Sequence, residues 1–72
     1  MTKPTTLTNR IRQLRAEHGD ITQAQLAARV GVTRQTLNAI EQAKYSPSLE
    51  VAFRIAEVLG LPLDHVFSHE PR

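Results

Sequence analysis

One segment of the chain gathers hydrogen-bonding side chains at the start of a predicted helix. They are Arg34, Gln35, Thr36 and Asn38. Side chains of these types in the first turns of a helix can reach the edges of base pairs in the major groove of DNA, or the phosphates beside it. The chemistry that this segment offers is therefore recognition of DNA by hydrogen bonding.

The helix that carries them is the second half of a predicted helix-turn-helix. A first helix runs from about Gln23 to Val30, and Gly31 follows it where a helix end favours the left-handed conformation that glycine adopts without steric cost. Val32 fills the angle between the two helices, and Thr33 is a suitable N-cap for a helix that begins at Arg34. The inward-facing positions are Leu26, Ala27, Val30, Leu37 and Ile40. The alternative is a helical hairpin in an ordinary bundle, which the polar outer face disfavours.

The remaining segments predict a scaffold of three more helices. Thr8 can cap a helix over about residues 9–18, and Ser48 can cap another over about 49–59. Pro62 suits the first turn of a short last helix. Thr22, with Gln25 three residues further on, predicts a capping box at the first helix of the motif. Nothing in the chain predicts a sheet, so the expected fold class is all-α, a compact five-helix domain.

Length and composition are compatible with one small domain. The 72 residues include no cysteine, so no disulfide or zinc–thiolate site is expected. We expect a flexible N-terminal arm over residues 1–7, the domain over 8–67 and a frayed tail over 68–72. No apolar run is long enough to span a membrane and no signal peptide is apparent, which predicts a cytoplasmic protein without a membrane partner.

Charge is distributed unevenly along the chain. The net charge is +2, but residues 1–44 carry seven basic and three acidic side chains, whereas residues 45–72 carry two and four. A basic half that contains the helix-turn-helix suits a domain that lays one side on DNA. Chance variation in a solvated surface is the other interpretation, so the asymmetry only supports the hypothesis.

Other chemistry has weak support. His18, His65 and His69 match no metal-ligand spacing, so no metal and no cofactor is expected. Carboxylate pairs such as Glu50 with Glu57 fall on predicted exposed faces, and the chain is too short to enclose a substrate pocket of ~300 Å³. We therefore do not expect an enzyme.

An apolar group near the end of the chain has two possible roles. Leu63, Val66 and Phe67 can close the core over the preceding helix, or they can form a dimer contact, or both.

Over residues 8–67 the chain resembles the Xre/Cro family of phage-repressor-type regulators. The resemblance lies in the segments NRIRQLRAEHG, TQAQLAARVGVTRQTLNAIE, YSPSLEVAFRIAEVLG and LPLDHVF. It implies a five-helix domain of phage-repressor type in which the third helix enters the major groove. It also implies a homodimer on palindromic double-stranded DNA, since one such domain reads too few base pairs for useful specificity.

The resemblance also assigns roles to individual residues. Thr33, Arg34 and Gln35 match the positions that most often read bases, with Thr36 and Asn38 on or beside the same face. Gln23 matches a position that grips a phosphate at a helix N-terminus. The residues that follow the recognition helix match a backbone-contacting segment, and they are Lys44, Tyr45 and Ser46. Tyr45 is as well suited to pack on the domain. Ala39 can offer a methyl contact to thymine, but it is as well suited to be a plain helix former.

The same resemblance implies a structural ion pair between Arg15 on the first helix and Glu41 at the end of the third. Ala43 departs from the family pattern, because glycine or asparagine often ends the third helix there. We expect it either to be strained by ~1 kcal/mol in the left-handed conformation or to follow a helix that ends differently.

The leading hypothesis is a sequence-specific transcriptional regulator that represses by occupying operator DNA. The alternative is a protein-interaction module, such as the antitoxin of a toxin–antitoxin pair, with a further protein partner. Antitoxins of this kind carry an added toxin-binding segment, and only about five residues follow the predicted domain here, which makes this alternative the weaker one.

Overall fold

The computed structural model describes residues 7–69 and confirms the five-helix architecture. The helices are α1 (Ile11–Glu17), α2 (Gln23–Val30), α3 (Arg34–Glu41), α4 (Leu49–Leu59) and α5 (Leu63–Val66). Two short strands flank them, β1 (Leu7–Asn9) and β2 (Phe67–His69). The predicted bounds of α2 and α4 agree with the structure at both ends.

The helix ends follow from short-range hydrogen bonding. Thr22 and Gln25 form the predicted capping box, with the Thr22 hydroxyl accepting from the Gln25 amide at 3.0 Å and the Gln25 side chain accepting from the Thr22 amide at 2.9 Å. Ser48 Oγ accepts from the Val51 amide at 3.1 Å and so caps α4. Gly60 ends α4 with φ +70°, the region that favours glycine.

The start of α1 was predicted wrongly. Thr8 does not cap this helix; it lies in β1, and its hydroxyl donates to the Ser68 carbonyl at 3.4 Å. The helix begins at Ile11, whose amide donates to Asn9 Oδ1 at 3.1 Å. The N-cap position is Arg10, whose side chain forms no capping hydrogen bond, and Asn9 lies one residue before it.

The two strands differ from a second expectation, which was that no sheet would form. They pair antiparallel, with Leu7 opposite His69, Thr8 opposite Ser68 and Asn9 opposite Phe67. Leu7, which was predicted to lie in the N-terminal arm, and Ser68 and His69, which were predicted to lie in the tail, are therefore strand residues. The backbone hydrogen bonds of this ladder join Leu7–Asn9 to Phe67–His69. The sequence did not predict these strands, because two strands of three residues are too short to show an alternating pattern. The rest of the predicted arm and tail, residues 1–6 and 70–72, lies outside the described residues.

The core lies where α2 packs against α3 and α4, with α1 and α5 closing it. Its fully buried larger side chains are Ile11, Leu14, Leu26, Val30, Leu37, Ile40, Ile55, Leu59 and Val66. The positions predicted to face inward on α2 and α3 all belong to this set or, for Ala27, to the same buried cluster. Within residues 7–69, no helix combines the length and apolar character needed to cross a membrane.

Candidate nucleic-acid interface

The turn between α2 and α3 has the geometry that the sequence predicts. Gly31 adopts φ +88°, and its amide donates to the Ala27 carbonyl at 2.9 Å. The Val32 amide donates to the same carbonyl at 3.0 Å, and the Val32 side chain packs against the core. Ala27 is buried between the helices, where its small side chain lets them approach closely. Thr33 then caps α3, and its hydroxyl accepts from the Thr36 amide at 3.1 Å.

Arg34 and Gln35 are the side chains of α3 that are available for recognition. Both are exposed, and neither forms a side-chain hydrogen bond to another residue between 7 and 69. Together with Gln23 and Asn38 they line a shallow cleft at the junction of α2 and α3. The structure thus brings together four of the residues predicted to contact DNA.

The threonines of the predicted base-reading set are partly used within the protein. Thr33 Oγ1 donates to Thr36 Oγ1 at 2.9 Å in addition to its capping bond. Thr36 is half-buried, whereas Thr33 is exposed. The two hydroxyls therefore stabilise the start of α3.

Arg15 and Glu41 form a forked ion pair between α1 and α3. Arg15 Nε lies 2.8 Å from Glu41 Oε2, and Arg15 Nη2 lies 3.1 Å from Glu41 Oε1. The side chains are only 15% and 5% exposed. Arg15 Nη1 also donates to the Ile21 carbonyl at 3.1 Å, so one guanidinium joins α1, the loop after it and α3.

Gln23 lies at the N-terminus of α2, but its side chain is held by α3. Its Nε2 donates to Glu41 Oε1 and to Asn38 Oδ1, each at 3.1 Å. The side-chain nitrogen of Gln23 is therefore already hydrogen-bonded within the protein. The backbone amides of Gln23 and Ala24 are the remaining donors at this position, because the Gln25 amide donates to Thr22.

Ala43 adopts the left-handed conformation that glycine would favour. Its φ is +59°, its amide donates to the Ile40 carbonyl at 3.0 Å, and the Lys44 amide donates to the Ala39 carbonyl at 3.0 Å. This pair of bonds is a Schellman motif, so the first of the two alternatives for Ala43 is the one observed. Lys44 and Tyr45 emerge from this turn exposed, and Ser46, also exposed, follows them.

Three residues beside the recognition helix were missed by the sequence reasoning. Asn9 Nδ2 donates to the Ile40 carbonyl at 2.8 Å and so joins β1 to the end of α3. Arg12 and Gln42 line a cleft that also contains the Arg15–Glu41 pair. Arg12 could have been found, because it lies three residues before Arg15 and shares that side of α1. No local signal identifies Asn9.

The predicted dimer group is only partly at the surface. Val66 is 1% exposed and belongs to the core, so it cannot contact a partner. Leu63 and Phe67 are half-buried. The large apolar side chains that are exposed beside them are Leu49 at 68% and Phe53 at 50%, both on α4. They lie one helical turn apart, a spacing that sequence analysis passed over.

One apolar surface, here called the apolar patch, is formed by Leu7, Leu49, Phe53, Leu63 and Phe67. One shallow cleft is lined by Leu7, Phe53, Leu63 and Phe67, and its neighbour by Leu7, Leu49, Leu63 and Phe67, each with further residues. The shared residues make the two clefts continuous.

The three histidines do not converge on one site. His18 Nδ1 lies 3.0 Å from the Leu14 carbonyl at the end of α1, His65 is on α5 and His69 is in β2. Across the described residues, no three side chains of the metal-binding types are grouped to hold an ion.

A helix-turn-helix with a braced third helix and an open polar face defines a class of DNA-binding domain. The family model for helix-turn-helix domains matches residues 11–66, so the chain belongs to that family and is of its Xre/Cro type. Members of this family are transcriptional regulators and not enzymes. The protein is accordingly a transcriptional regulator with a helix-turn-helix DNA-binding domain.

Individual relatives agree with this assignment. An uncharacterized HTH-type transcriptional regulator of Methanocaldococcus jannaschii is 45% identical over 62 residues, which cover 86% of this chain and 92% of that one. The cryptic phage CTXphi transcriptional repressor RstR of Vibrio cholerae is 35% identical over 60 residues, covering 83% of this chain and 53% of the repressor. A crystal structure of a Bacteroides fragilis protein, to which DNA binding has been ascribed, superimposes with a TM-score of 0.76 at 27% identity and covers 86% of this chain and 98% of that one.

Proposed function

We propose that the protein is a repressor that binds a palindromic operator as a homodimer and reads it with α3. The observation that carries this proposal is the contrast within α3. Its C-terminal half is fixed to α1 and α2 through Glu41, whereas Arg34 and Gln35 at its start are exposed and form no side-chain hydrogen bond within residues 7–69. A rigid helix with free donors at one end suits readout of base edges.

Arg34 and Gln35 are the proposed principal base-reading residues. The guanidinium of Arg34 can donate two hydrogen bonds to guanine, and the amide of Gln35 can pair with adenine or guanine. Thr33 and Thr36 are proposed as secondary contacts, because their hydroxyls already hydrogen-bond to each other.

Phosphate contacts are proposed on both sides of α3. At Gln23 the donors are the backbone amides of Gln23 and Ala24, because the side-chain nitrogen of Gln23 and the Gln25 amide are both occupied. On the other side are Lys44, Tyr45 and Ser46. Lys44 supplies charge next to a turn that is fixed by two backbone hydrogen bonds, and Tyr45, at 52% exposure, is open to solvent.

The apolar patch is the proposed dimer contact. Two-fold dimers use the same surface on both copies, and the patch is an exposed apolar group outside the helix-turn-helix. Leu49, Phe53, Leu63 and Phe67 would each lose solvent exposure there. A protein partner of another kind is the alternative occupant.

The proposal of repression is supported by the similarity to a phage repressor. A protein of this kind acts by occupying DNA at a promoter. Its proposed location is the cytoplasm, where the chromosome of a prokaryotic cell lies.

Selection of binding sites from random-sequence DNA tests the proposal. The purified protein is expected to recover an inverted repeat, and the Arg34→Ala, Gln35→Ala double variant is expected to lose preference within each half-site. Glu57→Ala, at an exposed position of α4 outside both α3 and the apolar patch, is the control and should recover the same motif as the wild type. Recovery of no motif by the wild type, with binding that disappears at moderate salt, would contradict sequence-specific regulation and leave only nonspecific electrostatic binding.

A further inference from the structure

Asn38 lies within a chain of side-chain hydrogen bonds that crosses the helix-turn-helix. The chain begins at Arg15, which donates to Glu41 at 2.8 and 3.1 Å. Gln23 Nε2 donates to Glu41 Oε1 and to Asn38 Oδ1 at 3.1 Å. Gln42 Nε2 donates to the same Asn38 oxygen at 3.2 Å.

The direction of these hydrogen bonds is fixed by the ionic residues at one end. The guanidinium of Arg15 can only donate, and the carboxylate of Glu41 can only accept. The Gln23 atom that faces Glu41 must therefore be its nitrogen. Since the same nitrogen contacts Asn38, the Asn38 atom that faces it must be the oxygen.

The result is that Asn38 presents one kind of hydrogen-bonding group to solvent. Its oxygen accepts from both Gln23 and Gln42. Its side chain is exposed, and its nitrogen donates to no residue between 7 and 69. An unconstrained asparagine offers one donor and one acceptor, the combination that pairs with adenine N6 and N7. Here the acceptor is occupied and only the donor is free.

We propose that the protein fixes Asn38 with its amide nitrogen outward, so that it recognises hydrogen-bond acceptors on DNA and cannot form the two-bond pair with adenine. The acceptors in reach of such a group are the N7 and O6 atoms of guanine, the N7 atom of adenine, the O4 atom of thymine and the phosphate oxygens. Guanine is favoured over adenine, because the group beside N7 is a second acceptor in guanine and a donor in adenine. Contact with DNA rests on the function proposed above, whereas the orientation of the amide is a property of the free protein.

The orientation is tested first without DNA. In ¹⁵N-labelled protein, hydrogen exchange of the side-chain NH₂ groups is measured by NMR, with exposed Gln35 as the internal reference. The Gln23 and Gln42 groups are expected to exchange several-fold more slowly than that of Gln35, and the Asn38 group as fast as it. Slow exchange at Asn38 together with fast exchange at Gln23 would overturn the inference, whatever the protein does with DNA.

Whether the Asn38 side-chain nitrogen donates to DNA is tested by measuring binding to the selected operator. Asn38→Asp keeps an oxygen facing Gln23 and Gln42 but replaces the outward nitrogen by an oxygen. Binding is expected to weaken by about tenfold or more, the size of one lost hydrogen bond and a new repulsion. Ala28→Asp, at an exposed position of α2, adds the same charge without touching this chain of hydrogen bonds and measures the effect of charge alone.

The DNA sequences on which Asn38→Asp loses affinity identify the DNA group that accepts from Asn38. If it is a base, Asn38→Asp changes the preference at one base pair of each half-site away from guanine or thymine. If it is a phosphate, affinity falls equally on every DNA sequence. Asn38→Ala identifies the base pair that Asn38 contacts, because it relaxes the preference there. The inference is overturned if the wild type prefers adenine over guanine at that pair, or if Asn38→Asp binds the operator with unchanged affinity. Failure of the wild type to select any motif, with the NMR result as expected, would instead contradict the proposed function.

Discussion

Arg15 and Glu41 lie 26 positions apart in the chain and are joined by two hydrogen bonds of 2.8 and 3.1 Å. Because Glu41 is the last residue of α3 and Arg15 is on α1, the pair fixes the recognition helix relative to the rest of the domain. Glu41 also accepts from Gln23 on α2. One carboxylate thus joins α1 to both helices of the helix-turn-helix.

Breaking this pair is expected to destabilise the fold strongly. Arg15→Ala leaves the Glu41 carboxylate, at 5% exposure, without its cation. The cost is expected to be about 3 kcal/mol, a large part of the stability of so small a domain. Urea denaturation followed by circular dichroism measures it. Removing Glu50 from its exposed pair with Arg54 is the control, and Glu50→Ala should cost no more than about 0.5 kcal/mol. Equal effects at the two sites would contradict a structural role for Arg15.

Ala43→Gly is expected to stabilise the protein. Ala43 has φ +59° at the turn that ends α3, where a Cβ atom costs about 1 kcal/mol and glycine has no such strain. Thermal unfolding is expected to show a gain of about 0.5–1 kcal/mol. The same substitution at exposed Ala28, within α2, is the matched control and should destabilise by about 1 kcal/mol, since glycine disfavours a helix interior. A loss of stability at both positions would show that Ala43 is not strained.

The sequence predicted best those elements whose ends are signalled locally. The bounds of α2 and α4 follow from Thr22, Gly31, Ser48 and Gly60, each of which acts within its own turn. The start of α1 was missed because its N-cap, Arg10, has no side-chain capping bond, and the acceptor beside it, Asn9, is positioned by tertiary contacts. Asn9 donates to the Ile40 carbonyl as well as accepting from Ile11, and no local pattern distinguishes it from Thr8.

The sequence predicted which residue types form the candidate site, but not which of their side chains are already hydrogen-bonded within the protein. Arg34 and Asn38 look alike as polar residues at the start of α3. The structure leaves Arg34 free and engages Asn38 with Gln23 and Gln42. That difference depends on where α2 lies against α3, which a spacing argument does not resolve. For Val66 the sequence left a core role and a dimer contact open, because an apolar residue in a short last helix suits both, and the structure places it in the core.

Arg34 and Lys44 are expected to contribute to DNA binding in different ways. Arg34→Ala should cost ~1–3 kcal/mol on the selected operator and relax preference at one base pair of each half-site. Lys44→Ala should weaken binding to all sequences about equally and reduce the slope of log affinity against log salt by about one. Titration of both variants against a panel of single-base operator variants at several salt concentrations measures this. Uniform loss for both variants would contradict the proposed division between base and phosphate contacts.

Phe53→Asp is expected to prevent dimer formation while leaving the domain folded. Phe53 is 50% exposed on α4 and adjoins Leu63 and Phe67 in the apolar patch, so a carboxylate there would be buried without a partner in a symmetric interface. Sedimentation of the free protein should change from dimer to monomer, and circular dichroism should stay the same. On operator DNA the variant should bind a single half-site as tightly as the wild type does but lose the added affinity of the full inverted repeat, because two linked half-sites bind more tightly than either alone. Ala28→Asp supplies the same charge at an exposed position outside the patch and should leave the dimer intact. If the wild type sediments as a monomer and occupies each half-site independently, the patch does not join two copies, and a partner of another kind becomes the candidate for it.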